Sequence, residues 1–288
     1  MSDETASSTP PAEEPAEGDG EGGGKPMTFW EHLEELRKRL IWSVVAFFVG
    51  CLLAWEVHEQ LFQVLRQPFD QAWIAQKLAG PPAFHFNSPQ GSFIAYFRIS
   101  MIGGFALAAP FVFYQVWSFV APGLYAKEKR YIIPFVVLST ALFLGGGFFG
   151  WRVAFPISFS YFLSLSGDGT GGGVIVPTIM MSEYIDFCTQ MLLGFGLVFE
   201  LPMLLLFLSI AGVINYLHLI QYFRYFVLFA FVVAAMFTPP DVPDQLAMAV
   251  PMCLLYGVSI GLVFLFGKKP TEEQRAAFRN RKKKEMAA

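Results

Sequence analysis

Charge is scarce in this chain, and where it gathers it is set out for binding. The first cluster runs from Glu31 to Arg39 and holds Glu31, Glu34 and Glu35 beside Arg37, Lys38 and Arg39. The second, Lys127-Glu128-Lys129-Arg130, places one carboxylate among three cations just after Pro122-Gly123. That dipeptide breaks a helix, because proline lacks the amide donor and glycine tolerates positive φ. A carboxylate accepts a guanidinium through a bidentate fork that lysine cannot copy. At a lipid surface, where the effective dielectric falls below that of water, such pairs gain strength. The plainer readings are a solvated helix pair for Glu35 and a loop charge for Glu128. Glu200 is a different anomaly: it lies fourteen residues after Asp186 with apolar residues on both sides. A charged group at mid-bilayer costs roughly 2.5–3.5 kcal/mol on insertion scales. Glu200 therefore faces a neighbouring helix, a cavity, water or a partner, or stays protonated. Asp241 follows Pro239-Pro240 and fits a helix N-cap. The four histidines are dispersed without metal-ligand spacing. Cys51, Cys188 and Cys253 each sit in an apolar run, which gives neither a disulfide framework nor a zinc site. No cofactor is implied.

The elements that must carry these groups are membrane spans. The 288 residues are 55% hydrophobic and only 15% charged, against about 25% charged in soluble domains. The expected fold is an all-α integral membrane protein with six transmembrane helices. Thr28-x-x-Glu31 forms a capping box, and the helix it opens puts Leu33, Leu36 and Leu40 on one face with Glu34/Lys38 and Glu35/Arg39 at i,i+4. This helix runs into a first span, Leu40 to Trp55. Residues 56–90 predict a short interfacial helix carrying Leu61, Val64, Leu65 and Phe69 and broken at Pro68. The second span is Ser92 to Phe119 and the third Tyr131 to Trp151. The fourth is Tyr184 to Ile214 with Glu200 in its interior. The fifth runs Tyr225 to Phe237 and the sixth Gln245 to Phe266. Sixteen residues between Arg224 and Asp241 reach roughly 24 Å, short of a ~30 Å hydrocarbon core. The fifth helix is thus expected to thin the bilayer or to sit behind its neighbours. The stretch Gly167 to Gly173 lacks the Gly-Lys-Ser/Thr ending of a nucleotide loop and reads as a connector.

Three regions follow. Residues 1–27 are an acidic tail, rich in Pro, Gly and Ser, with seven acids and one base in the first 25; it buries too little apolar surface to order. Residues 28–267 form the six-span domain, and 268–288 a basic tail suited to anionic lipid. With both termini cytoplasmic, 16 Lys and Arg lie inside and three (Arg66, Lys77, Arg152) outside, with Arg98 within a span. The positive-inside rule fixes that orientation and puts Glu35 and Glu128 in the same compartment.

Four motifs, in order, resemble TatC, the receptor subunit of the twin-arginine protein translocase. They are His32-Leu-Glu-Glu-Leu-Arg-Lys-Arg-Leu40; Tyr114-Gln-Val-Trp-Ser-Phe-Val-Ala-Pro-Gly-Leu-Tyr125 followed by Glu128; Phe195-Gly-Leu-Val-Phe-Glu-Leu-Pro202; and Thr238-Pro-Pro-Asp-Val242. The resemblance covers about residues 28–267. It implies a multi-pass receptor in the bacterial cytoplasmic (inner) membrane that is not an enzyme. Such a receptor binds twin-arginine signal peptides of folded cargo on the cytoplasmic side. It forms an oligomeric complex with single-span partners of the TatA and TatB type, and transport draws on the proton-motive force. It also implies that Glu35, Glu128, Arg37 and Phe119 bind the signal peptide, and that Pro68, Glu200, Asp241 and Gln245 serve function. Glu34 beside Glu35 and the acidic extension depart from the family pattern. Two consecutive arginines on an extended peptide point to opposite sides and so suit two carboxylates on different elements. Nearby Arg37, Lys38, Lys127 and Lys129 are expected to neutralise the glutamates when the site is empty. The alternative is an ion-coupled secondary transporter with Glu200 as its proton site, which predicts internal repeats and broken helices; no repeat is visible. No Ser-His, paired-Asp or His-Glu-x-x-His constellation within the spans supports an intramembrane enzyme, and no nucleic-acid partner is implied.

Overall fold

The structure is a computed structural model, and it describes residues 29–78, 80–120, 132–165, 177–272, 274–276 and 279–280. The expectations for the acidic tail, for Glu128 and its flanking hinge, for the glycine-rich stretch 167–173 and for the last residues of the basic tail lie outside the described residues.

Nine α-helices are described: α1 Phe29–Trp55, α2 His58–Ala75, α3 Gly91–Val120, α4 Ile132–Phe149, α5 Phe155–Ser164, α6 Met181–Phe199, α7 Leu201–Ile210, α8 Tyr216–Phe237 and α9 Val242–Phe266. Six units are long and apolar enough to cross a membrane: α1, α3, α4 with α5, α6 with α7, α8 and α9. Their outer faces carry large apolar side chains such as Leu52, Leu228 and Leu254, each about two-thirds exposed. The described residues are thus a six-span helical bundle with a lipid-facing surface.

Several boundaries differ from the sequence expectation, each for a local reason. Pro68 does not break α2, which runs through it. Proline removes the amide that would bond the carbonyl four residues back, on Val64. The Trp151 indole donates to that carbonyl (2.9 Å), and the Tyr184 hydroxyl donates to the next one, on Leu65 (2.9 Å). The third span does not end at Trp151. A π turn over Gly150–Ala154 absorbs the approach of Pro156, and the chain continues helical to Ser164. The fourth span starts three residues early, at Met181, and ends at Ile210. It is divided at Glu200, where Pro202 occupies the first turn of α7. The fifth starts nine residues early, because the Asn215 side chain caps it by accepting from the His218 amide (3.1 Å). Its 22 residues reach about 33 Å, so the helix as a whole spans the core and only its segment beyond Arg224 is short.

The bundle is assembled around α3 and α6. The longest contact is α1 along α3; α4 lies against both α3 and α6, and α9 joins α7 and α8 to the rest. Backbones meet where α1 crosses α3: a Cβ on Gly104 would lie 2.5 Å from the Cys51 amide nitrogen, and one on Gly50 would run into the Gly104 carbonyl. Small residues at a crossing let membrane helices pack by close van der Waals contact. At the end away from the start of α1, Phe69, Phe84, Phe159 and Tyr184 stack around one another. A two-residue parallel pairing, Phe84–His85 on Ile179–Met180, closes that end.

Candidate functional site

The first two turns of α1 and the last turns of α3 meet, because the two helices run antiparallel. His32 stacks on Phe119 with ring centroids 4.3 Å apart. Beside them opens a cleft of about 530 Å³ lined by Glu31, Glu34, Glu35, Lys38, Arg39, Trp42 and Gln115. The helical period carries the α1 residues to one side, while Arg37, two positions from Glu35, is exposed on another face and lines no part of the cleft. Of the residues expected to bind peptide, Glu35 and Phe119 are brought to the same end of the bundle. Arg37 is not brought to Glu35, and Glu128 lies outside the described residues.

Glu35 is not neutralised by Arg37 or Lys38. The Arg39 guanidinium reaches back one turn and donates to Glu35 Oε1 from both Nη2 (2.5 Å) and Nε (2.8 Å). It also donates from Nη1 to the Gln115 side-chain oxygen on α3 (3.3 Å). Glu35 and Arg39 are about one-fifth and one-quarter exposed. Glu35 Oε2 is buried and accepts no hydrogen bond among the described residues. The carboxylate is therefore half used: one oxygen is held by an internal guanidinium, and the other is buried without a partner among the described residues. Gln115 was quoted in the sequence motif but not marked as a site residue. Its signal was an amide in an apolar run one helical turn before Phe119.

Two further polar positions sit elsewhere. Glu200 stands at the single-residue break between α6 and α7, half-buried, with Oε1 buried and without a partner among the described residues. It faces the Ser139 hydroxyl of α4, which accepts from the Trp117 indole of α3 (2.9 Å). Three spans thus converge on this carboxyl group.

At the start of α9, Asp241 Oδ1 accepts from the Asp244 amide (2.9 Å), so the residue is the cap its position allowed. Gln245 donates to the Phe231 carbonyl (3.2 Å) and ties α9 to α8. Asp244, which sequence reasoning missed, is fully buried with both carboxyl oxygens unpartnered among the described residues. The Ser158 hydroxyl lies beside it but donates to the Ala154 carbonyl (2.9 Å). Pro68 is buried in α2, remote in the fold from the Glu35 cleft, and its role there is the packing described above.

The fold and this arrangement define a class: a six-span helical membrane protein with a charged cleft at one end that can take up a guanidinium. The family model for the Sec-independent protein translocase protein TatC matches residues 31–251. The chain is 39% identical over 254 residues to the TatC of Koribacter versatilis, covering 88% of this chain and 91% of that protein. It is 40% identical over 252 residues to the TatC of Desulforapulum autotrophicum, covering 88% and 90%. A crystal structure of the twin-arginine translocase receptor TatC superimposes with a TM-score of 0.70 at 35% identity, over 82% of this chain and 99% of that one. The chain belongs to the TatC family of Sec-independent protein translocase proteins, and its six spans make it a multi-pass membrane protein, consistent with the bacterial inner membrane.

Proposed function

We propose that this chain is the receptor that recognises twin-arginine signal peptides at the Glu35 cleft, and that the cleft faces the cytoplasm. The observation that carries this reading is the Glu35 carboxylate, already shaped around a guanidinium and with Oε2 unpartnered among the described residues. One signal arginine docks on Glu35. The other takes Glu128, on the connection that leaves α3 just past Phe119, whose ring packs on His32. A bidentate arginine pair on each carboxylate contributes roughly 1.5–3 kcal/mol, the range for charged hydrogen bonds. The excess of Lys and Arg on this side supports a cytoplasmic face and cytoplasmic termini. With TatA- and TatB-type single-span proteins, the receptor passes folded cargo across the membrane at the expense of the proton-motive force. Glu200, where three spans converge, is the polar step within the bilayer on that route.

The test is binding of a labelled peptide carrying two consecutive arginines to the protein in nanodiscs. Glu35→Ala and Glu128→Ala are each expected to weaken binding at least tenfold, as is replacement of the arginine pair by Lys-Lys. Binding indifferent to all three changes overturns the carboxylate assignment.

A further inference from the structure

We propose that Arg39 is a built-in occupant of the signal-arginine subsite, which the peptide must displace. This rests on the reading of Glu35 as a signal-peptide carboxylate and concerns how that site is regulated. A guanidinium on this carboxylate is already in place. Arg39 forks onto Glu35 Oε1 with two donors and spends a third on Gln115 of the neighbouring helix. A plain i,i+4 surface pair would not need the third contact. It holds the Arg39 head across the cleft instead of letting it extend along α1. Trp42 lies one turn further along in the same cleft, so the displaced side chain has an apolar surface to lie on.

Oε2 is buried and without a partner among the described residues, so an incoming guanidinium meets the carboxylate where Arg39 now sits. It gains the full fork only by turning Arg39 off Oε1. The site therefore exists in two states, closed by Arg39 and open. A ligand that needs the open state binds with its intrinsic affinity reduced by the open fraction. Two consequences follow from that arithmetic. Loosening Arg39 tightens binding of every peptide that uses Glu35, by the same factor. It leaves the preference for Arg-Arg over Lys-Lys unchanged, since both must open the same latch. The latch keeps the receptor's carboxylate neutralised between signal peptides and lowers the apparent affinity for each.

The experiment measures dissociation constants for labelled Arg-Arg and Lys-Lys peptides with the full-length protein in nanodiscs. The variants are Arg39→Gln, which removes the latch, Gln115→Met, which removes its anchor without altering charge, and Glu35→Gln. Arg39→Gln is expected to tighten both peptides equally, by about tenfold, equivalent to about 1.4 kcal/mol. Gln115→Met is expected to tighten both by a smaller common factor. Its gain separates a latch from simple removal of a repelling cation, which Gln115→Met does not touch. Unchanged or weaker binding in Gln115→Met overturns the inference, and so does a gain in Arg39→Gln confined to one peptide. Loss of binding in Glu35→Gln is the control for the parent reading. If that variant binds like the wild type, the receptor assignment of Glu35 has failed. If it loses binding while the other two variants gain nothing, only the latch has failed.

Discussion

The α1–α3 crossing offers the sharpest check on the packing that holds the cleft together. A Cβ added at Gly104 would lie 2.5 Å from the Cys51 nitrogen, 2.6 Å from its Cα and 2.7 Å from its Sγ. Ordinary carbon contacts begin near 3.5 Å, so Gly104→Ala forces the two helices apart by roughly 1 Å. Two backbone atoms cannot rotate away as a side-chain tip would. Overpacking of this kind costs about 1–3 kcal/mol. Against it stands the gain of about 0.5–1 kcal/mol from replacing a helical glycine by alanine. The clash wins. At about 2–4 °C per kcal/mol for a chain of this length, a net loss of up to about 2.5 kcal/mol lowers the midpoint by up to about 10 °C. Gly145 in α4 is the matched control, since nothing lies within 4 Å of a Cβ there; Gly145→Ala should hold or slightly raise the midpoint. Separating α1 from α3 also stretches the Arg39–Gln115 bond, already at 3.3 Å, beyond hydrogen-bonding range. The assay is thermal unfolding of the purified protein in one detergent, followed by intrinsic fluorescence. A Gly104→Ala protein that melts with or above Gly145→Ala would falsify the crossing.

Two other outcomes follow from local hydrogen-bond accounting. If the Trp151 indole serves the carbonyl that Pro68 leaves open, Trp151→Phe should cost about 0.5–1.5 kcal/mol. Much less should be lost in a Pro68→Ala background, where the restored amide serves Val64 instead. A double-mutant cycle with no coupling in thermal stability would remove that account. At α9, Asp241→Ala should lose about 0.5–2 kcal/mol as a missing N-cap, while Asp241→Asn, which still accepts from the Asp244 amide, should stay near the wild type in the same melt.

Part of the candidate site was legible in the sequence. The i,i+4 spacing of Glu35 and Arg39 announced their pairing, and Asp241 before a helical run announced a cap. Other features were not legible. Pro68 read as a break because a proline's cost is judged from its own helix, whereas Trp151, far along the chain, takes the Val64 carbonyl it leaves and Tyr184 bonds the next one. Glu200 read as a residue inside one long span, since hydropathy does not register a one-residue break. Arg37 was expected to neutralise Glu35 because it lies nearby in the sequence, although the turn of the helix carries them to different faces. Asp244 drew no notice beside Asp241; that it is buried is decided by α5 and α8, which pack over the start of α9.

By itself the sequence determined that this is a six-span membrane protein of the TatC family, with charge gathered at the start of the first span and after the second. Those properties are sums over neighbouring residues: apolar length, helical period and the order of motifs. Only the tertiary structure decided which groups meet. Antiparallel packing of α1 on α3 set Gln115 against Arg39 and Phe119 against His32, and convergence of three spans gave Glu200 its neighbours. Hydrogen bonds and close packing act over a few ångströms between residues scores of positions apart. A linear pattern fixes what each helix is, and the folded bundle fixes what each side chain touches.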